Sequence, residues 1–411
     1  MSDSKYMHPG VYMEEVASGP VPIEGVSTSI VGFIGQTLEG DKYQAPGDDT
    51  AEDLTNKAVL ITSYDDFTAK FGGYDAKKAP YLPFAVQGFF LNGGGTCYVV
   101  KVPDLKNAVP SGAPPEDPGQ RTGVHALLNV DEAVISLICI PGLTDPATQQ
   151  ALLDFCKTEM YYFCILDGPG DPANKKPPQI QDVIGDKYRQ KLSCDVGYGA
   201  VYFPWIQISV LMPDPDTGTP KPQKFWVPPS GYVAGVYART DTNRGVFKAP
   251  ANEEIQGVLG LQVRIDDKIQ DLLNPQSINC IRFFPGRNFR IWGARTIYLN
   301  ELWRYVPVRR LFIYLEDSLY KGTQWAVFEP NDERLWSRVI QSITQFLKQA
   351  WINGALLGET PDKAFFVKCG LGVTMNETDL EMGRLIIEVG VAPVRPAEFV
   401  IIRIQQQVQP A

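Results

Sequence analysis

The sequence predicts an α/β fold, α+β overall. A central, mostly parallel sheet flanked by helices is followed by a C-terminal α+β domain, with extended strand-forming arms at both ends. Three observations carry this. Near-continuous apolar strand candidates such as VSTSIVGFIG (26–35), CYVVKV (97–102) and YYFCILDGP (161–169) alternate with helical stretches, the pattern of strands buried on both faces. One long segment near the C-terminus follows the 3.6-residue helical period closely. Both ends combine proline and glycine punctuation with short β-forming runs.

Taken in order, HPGVYMEEV (8–16) is a short strand candidate introduced by Pro9-Gly10, followed by the proline-punctuated link ASGPVPIEG (17–25). Proline fixes φ and suppresses helix, so this link reads as an extended arm. SYDDFTAKFG (63–72) is a short capped helix, and YLPFAVQGFFLNG (81–93) a longer one ending in glycines. After a Pro/Gly-rich loop (103–123) come the strand AVISLICIPG (133–142) and a helix near 146–160. GAVYFPWIQI (199–208) continues the sheet, with Pro204 favouring an edge position or a bulge. MPDPDTGTPKPQ (212–223) reads as a hairpin tip, 227–252 as helical in its middle, and INCIRFFPGRNFRIWGART (278–296) as strand, Pro-Gly turn, strand.

The clearest helix is NDERLWSRVIQSITQFLKQAW (331–351), with Asn331 or Asp332 as cap and Pro330 as the barrier to earlier growth. At 1.5 Å per residue it is roughly 30 Å long. Its polar side carries Arg334, Arg338, Gln341, Gln345 and Lys348, a basic stripe that reads either as a solvated helix face or as a docking surface for an acidic partner. Beyond it, AFFVKCG (364–370) and RLIIEVGVA (384–392) are strands. The apolar run Glu398-Phe399-Val400-Ile401-Ile402-Arg403-Ile404 is a further strand, set off by the stiff link Pro393-Val394-Arg395-Pro396. A strand so placed fills a slot in its own sheet or offers an edge to another chain.

The 411 residues carry a formal net charge of −9, which argues against a nucleic-acid partner. No apolar run approaches the roughly 18–20 residues that span a bilayer, so direct membrane insertion is not expected. The seven cysteines are odd in number and show no CxxC spacing, a pattern that fits free buried thiols made in a reducing cytoplasm. The two histidines, His8 and His125, lack a second ligand or a triad partner nearby. Gly93-Gly94-Gly95 lacks the lysine of a phosphate-cradling loop. Asp214-Pro-Asp216-Thr-Gly218 has prolines and no distal glutamate where a calcium loop needs one. Asp167-Gly-Pro-Gly-Asp171 follows a strand, where α/β enzymes place carboxylates, but no base or nucleophile accompanies it. No catalytic, metal or cofactor-binding residue is therefore assigned, and no cofactor is expected.

Several stretches resemble the tail sheath family of contractile phages and injection systems. They are PGVYMEEVASGPVPIEGVSTSIVGFIG (9–35), ARTDTNRGVFKAPAN (238–252), the 278–296 hairpin, VRRLFIYLEDSLYKGTQWAVFEPNDERLWSRVIQSITQFL (308–347), AFFVKC (364–369) and VGVAPVRPAEFVIIRI (389–404). One chain carries both ends, which resembles the phage and extracellular-injection form rather than a two-protein sheath. The resemblance implies a structural, non-enzymatic subunit of a six-fold helical sleeve around an inner tube, contracting from a metastable extended state. It implies linkage by exchanged terminal strands, here Val11, Tyr12, Met13, Glu14, Glu15 and Val16 at one end and Glu398–Ile404 at the other. Arg334, Arg338 and Lys348 become candidates for tube contact. Further implied partners are other copies of the chain and baseplate and tail-terminator or cap proteins. Assembly would be in the bacterial cytoplasm and the final location a phage-tail-like particle. The expected divisions are an arm (1–25), an α/β outer domain with surface insertions (26–300), a tube-proximal α+β domain (301–397) and a strand arm (398–411). The alternatives are a baseplate-type or ring-forming subunit and, further off, an α/β enzyme.

Overall fold

The computed structural model describes residues 21–39, 43–44, 51–74, 80–130, 135–213 and 219–401. Two compact units emerge: Gly25–Asp317 with the described part of Pro393–Ala411, and the described part of Met1–Glu24 with Ser318–Ala392.

The first unit is built on an eight-stranded sheet. In chain order its strands are β1 (Val31–Gly35), β4 (Ala58–Ile61), β5 (Cys97–Lys101), β6 (Leu137–Cys139), β7 (Phe163–Asp167), β8 (Gly199–Phe203), β12 (Ile278–Phe284) and β13 (Asn288–Trp292). The spatial order is β13-β12-β8-β7-β6-β1-β5-β4. The inner six strands run parallel, and β13 and β4 close the two edges antiparallel. A small pair, β2 (Tyr43–Gln44) and β3 (Ala51–Glu52), lies outside it, as does an antiparallel sheet of β9 (Ile206–Pro213), β10 (Pro220–Val227) and β11 (Gly260–Leu261).

Strand residues alternate between two covered faces, which is why these strands read as unbroken apolar runs. Phe33 meets Phe89 of α2 (Tyr81–Leu91) and Phe163 meets Tyr237 of α5 (Ser230–Arg244) on one face. On the other face, the space above Gly32 is filled by Leu127, and that beside Gly199 by Leu153 of α3 (Pro146–Glu159). Two glycines bring α5 onto α2: a Cβ at Gly231 would lie 2.4 Å from the Ala85 carbonyl oxygen, and one at Gly235 2.5 Å from that of Phe89. The remaining helices of this unit are α1 (Tyr64–Phe71), α4 (Ile180–Ile184), α6 (Asp267–Leu273) and the first part of α7 (Val306–Gly322). Ser63 caps α1 by accepting from the Asp66 N–H, and Asp145 caps α3 by accepting from that of Thr148.

The 199–208 stretch divides at its proline. β8 ends at Phe203 inside the central sheet, and β9 begins at Ile206 in the smaller one. Proline has no N–H for a ladder between two partners, so the chain leaves the sheet there instead of bulging within it.

The second unit carries the end of α7, then α8 (Glu333–Ile352), α9 (Pro361–Ala364), β14 (Phe365–Cys369), α10 (Glu377–Glu381) and β15 (Ile387–Val391). Asp332 caps α8 by accepting from the N–H groups of Arg334 and Leu335. β14 and β15 form an antiparallel pair in register Phe365↔Val391 to Cys369↔Ile387, and Phe366 covers the bare Cα of Gly390. The seven cysteines are all free and buried.

Candidate assembly interfaces

Helix α8 buries Leu335, Val339, Ile343, Phe346, Leu347 and Ala350, which leaves a polar face by simple 3.6-residue geometry. Arg334, Gln341, Gln345 and Lys348 lie exposed on it. Arg338 is turned back: its guanidinium stacks 4.6 Å from the Trp325 ring centroid and reaches Glu329 at 3.6 Å. Arg334 and Lys348 are thus the two predicted cations that stand free toward solvent by exposure, at opposite ends of the helix.

The predicted C-terminal strand is described as far as Ile401, and Ile402, Arg403 and Ile404 lie outside the described residues. Residues 394–401 belong to no strand. Phe399, Val400 and Ile401 are 69%, 80% and 78% exposed, so neither face of this apolar run is covered by the described residues. Glu398, one residue earlier, behaves in the opposite way. Its carboxylate accepts from Arg295 Nε (2.8 Å), Arg295 Nη2 (2.8 Å), Asn274 Nδ2 (2.9 Å) and the Tyr305 hydroxyl (3.1 Å). Burial opposes ionisation of Glu398, but the bonds from Arg295 and Asn274 and the Arg295 charge outweigh it and hold the carboxyl below the ordinary glutamate range. Sequence reading missed this receptor, because its three donors lie 93 to 124 residues from Glu398.

At the other end, Val11–Val16 lies outside the described residues, and the described link residues 21–25 form no helix or strand. Three residues further on, the chain is fixed by a buried ion pair. Arg310 donates to both Asp241 oxygens (3.0 and 2.5 Å) and to the Thr28 carbonyl (2.8 Å), while the Thr28 hydroxyl donates to Asp241 (2.8 Å).

In the second unit, β14 and β15 form a sheet of only two strands, so among the described residues each has one edge outside any ladder. Such edges are templates for strand addition.

The described residues weighed for chemistry have structural roles. Asp167 is buried at the end of β7, where its oxygens accept from the Ser230 N–H and hydroxyl (2.8 Å each) and from the Gly142 N–H (3.1 Å). Burial pushes its pKa up to about 7 against those bonds. Asp171 closes a turn by accepting from the N–H groups of Ala173, Lys175 and Lys176. His125 is buried against Phe155, His8 and Asp214–Gly218 lie outside the described residues, and Gly93 takes a left-handed turn after α2.

An uncovered apolar run, an open-edged two-stranded sheet and a basic helix face are features suited to contact with other chains. Residues 119–297 match the family model of the phage tail sheath protein central domain, and residues 299–407 that of the phage tail sheath C-terminal domain. The chain belongs to the contractile tail sheath family. It is 30% identical to a chain of the contracted sheath complex of an extracellular contractile injection system, PVC, covering 98% of this chain and 99% of that one with a TM-score of 0.75. Against the contracted helical sheath of the anti-feeding prophage the figures are 31% identity, 98% and 100% coverage, and a TM-score of 0.72. A prophage major tail sheath protein of Pseudomonas aeruginosa (strain UCBPP-PA14) is 25% identical over 363 residues, 85% of each chain. The protein is a structural subunit of a contractile sheath in a phage-tail-like particle, not an enzyme.

Proposed function

We propose that this subunit builds a six-fold helical sleeve around an inner tube, with neighbouring copies linked by exchanged terminal strands. The observation that carries the reading is the uncovered run Phe399-Val400-Ile401. The segment Phe399–Ile404 is donated to the open edge of a neighbour's β14–β15 sheet, with Glu398 staying bound to its own subunit, and Val11–Val16 plays the corresponding part from the other end. Each main-chain hydrogen bond so gained contributes about 0.5–1.5 kcal/mol net, and apolar burial adds to it. Links of this kind keep subunits connected while other interfaces repack during contraction from a metastable extended state, with no nucleotide required.

Arg334 and Lys348, with Arg338 behind them, face acidic groups of the inner tube protein. Baseplate and tail-terminator proteins meet the two ends of the sleeve. That the relatives come from sheath and baseplate assemblies of injection systems supports this placement. The test is electron microscopy of the purified full chain beside a version truncated after Ala397. Hollow six-fold tubes from the full chain, lost on truncation, are expected. Discrete monomers in both samples overturn the reading, and closed rings in place of tubes point to a baseplate-type subunit.

A further inference from the structure

We infer that Glu398 is a positioning residue for the C-terminal arm: clamped by Arg295, Asn274 and Tyr305, it fixes where and in which direction the segment from Phe399 onward leaves the subunit. The inference rests on the strand-donation reading above and adds to it the device that aims the strand.

Three features of the site support this role. The receptor is held by bonds of its own that do not involve the arm. The Arg295 N–H donates to Asn279 Oδ1 (2.7 Å), and Asn279 Nδ2 donates to the Arg295 carbonyl (2.8 Å) and to that of Val201 in β8 (3.1 Å). Arg295 Nη1 donates to the Asn274 carbonyl (2.9 Å), which anchors the guanidinium to the subunit on the side away from Glu398's oxygens. The grip is also directional. Two parallel N–H bonds from one guanidinium fix the carboxylate plane, and donors from Asn274 and Tyr305 occupy further lone pairs. Finally, the change from held to free is abrupt. The Glu398 side chain is 19% exposed, whereas the next three residues are more than two-thirds exposed. Pro396, two residues ahead, restricts the backbone entering the clamp. A strand that must find a neighbour's open edge loses less conformational freedom if its root is already fixed.

The experiment compares sheath assembly, by sedimentation and microscopy, with thermal melting of the unassembled full-length subunit. The variants are Glu398→Ala, Glu398→Gln, insertion of two glycines between Glu398 and Phe399, and truncation after Glu398. We expect both point variants to melt within about 5 °C of wild type. Sedimentable sheath should fall about tenfold or more for Glu398→Ala and less for Glu398→Gln. The glycine insertion keeps the clamp and the fold but releases the aim, so it too should lower assembly, which a purely stabilising Glu398 does not predict. Truncation abolishing tubes while Glu398→Ala and the insertion assemble as wild type overturns the positioning role alone. Tubes surviving truncation overturn strand donation, and the positioning role with it. Loss of cooperative melting in both point variants makes Glu398 a folding residue and also overturns the inference.

Discussion

Arg310→Met isolates the cost of one orphaned charge in the main unit. The Arg310 and Asp241 side chains are 3% and 4% exposed, and the guanidinium lies 4.7 Å from the Tyr237 ring centroid. Methionine fills much of the stem volume but removes every donor, so Asp241 keeps only the Thr28 hydroxyl and the Thr28 carbonyl loses its bond from Arg310. Stranding one member of a buried pair costs about 3–5 kcal/mol, whereas replacing both members by apolar groups is often neutral. With a urea slope near the top of the usual range, about 3 kcal/mol/M, the midpoint should drop by about 1–1.7 M. The assay is urea unfolding of Arg310→Met, Asp241→Leu and the double variant, below the concentration at which tubes form. The double variant should recover most of the loss. A single-variant shift under about 0.2 M, or a double variant as weak as Arg310→Met, would refute the account of an uncompensated charge. Exposed pairs such as Lys187–Asp182, with side chains 69% and 45% accessible, provide the contrast, since solvent screens them and their loss should leave the midpoint nearly unchanged.

Charge reversal of Arg334 and Lys348 together should weaken co-sedimentation of tube protein and make the residue of binding less sensitive to salt, with subunit melting unchanged. Unaltered tube binding would remove α8 from the tube interface. Gly231→Ala should destabilise by about 1–3 kcal/mol through overpacking against α2, although the same change in an open helix stabilises by about 1 kcal/mol. A raised melting temperature therefore contradicts the close approach. Asp167→Asn tests the buried carboxylate. Its folded pKa of about 7 stands above the ordinary 3.8, so the folded state holds the extra proton between those values. That contribution is full below the lower value and lost as pH rises through the upper one, at up to about 1.4 kcal/mol per pH unit. Wild type should thus lose stability relative to the variant between pH 4 and 7, and parallel pH profiles would contradict this.

Much of the fold was legible because it rests on short-range rules. Strands buried on both faces need unbroken apolar runs, which marked β1, β5, β6 and β7. Helix α8 needed a cap and a 3.6-residue stripe, and Asp332 with Leu335, Val339, Ile343 and Leu347 supplied both. Pro204 pointed to an edge position or a bulge, but only the sheet order could say that one stretch serves two sheets, since strand neighbours are set by packing and not by adjacency in sequence. Composition marked the apolar run after Pro396, but its exposure over Phe399–Ile401 is a finding of the structure. That Arg338 turns inward while Arg334 and Lys348 face out depends on Trp325 and Glu329 in a preceding loop. The Glu398 receptor shows the limit most plainly. Its donors come from Asn274, Arg295 and Tyr305, and a hydrogen-bonding partner chosen across about a hundred residues leaves no periodic trace in sequence. The sequence by itself determined most of the elements and the apolar run near the C-terminus. The tertiary structure decided which charges are buried together and where the arm is held, because those depend on distances that exist only once the sheet has closed.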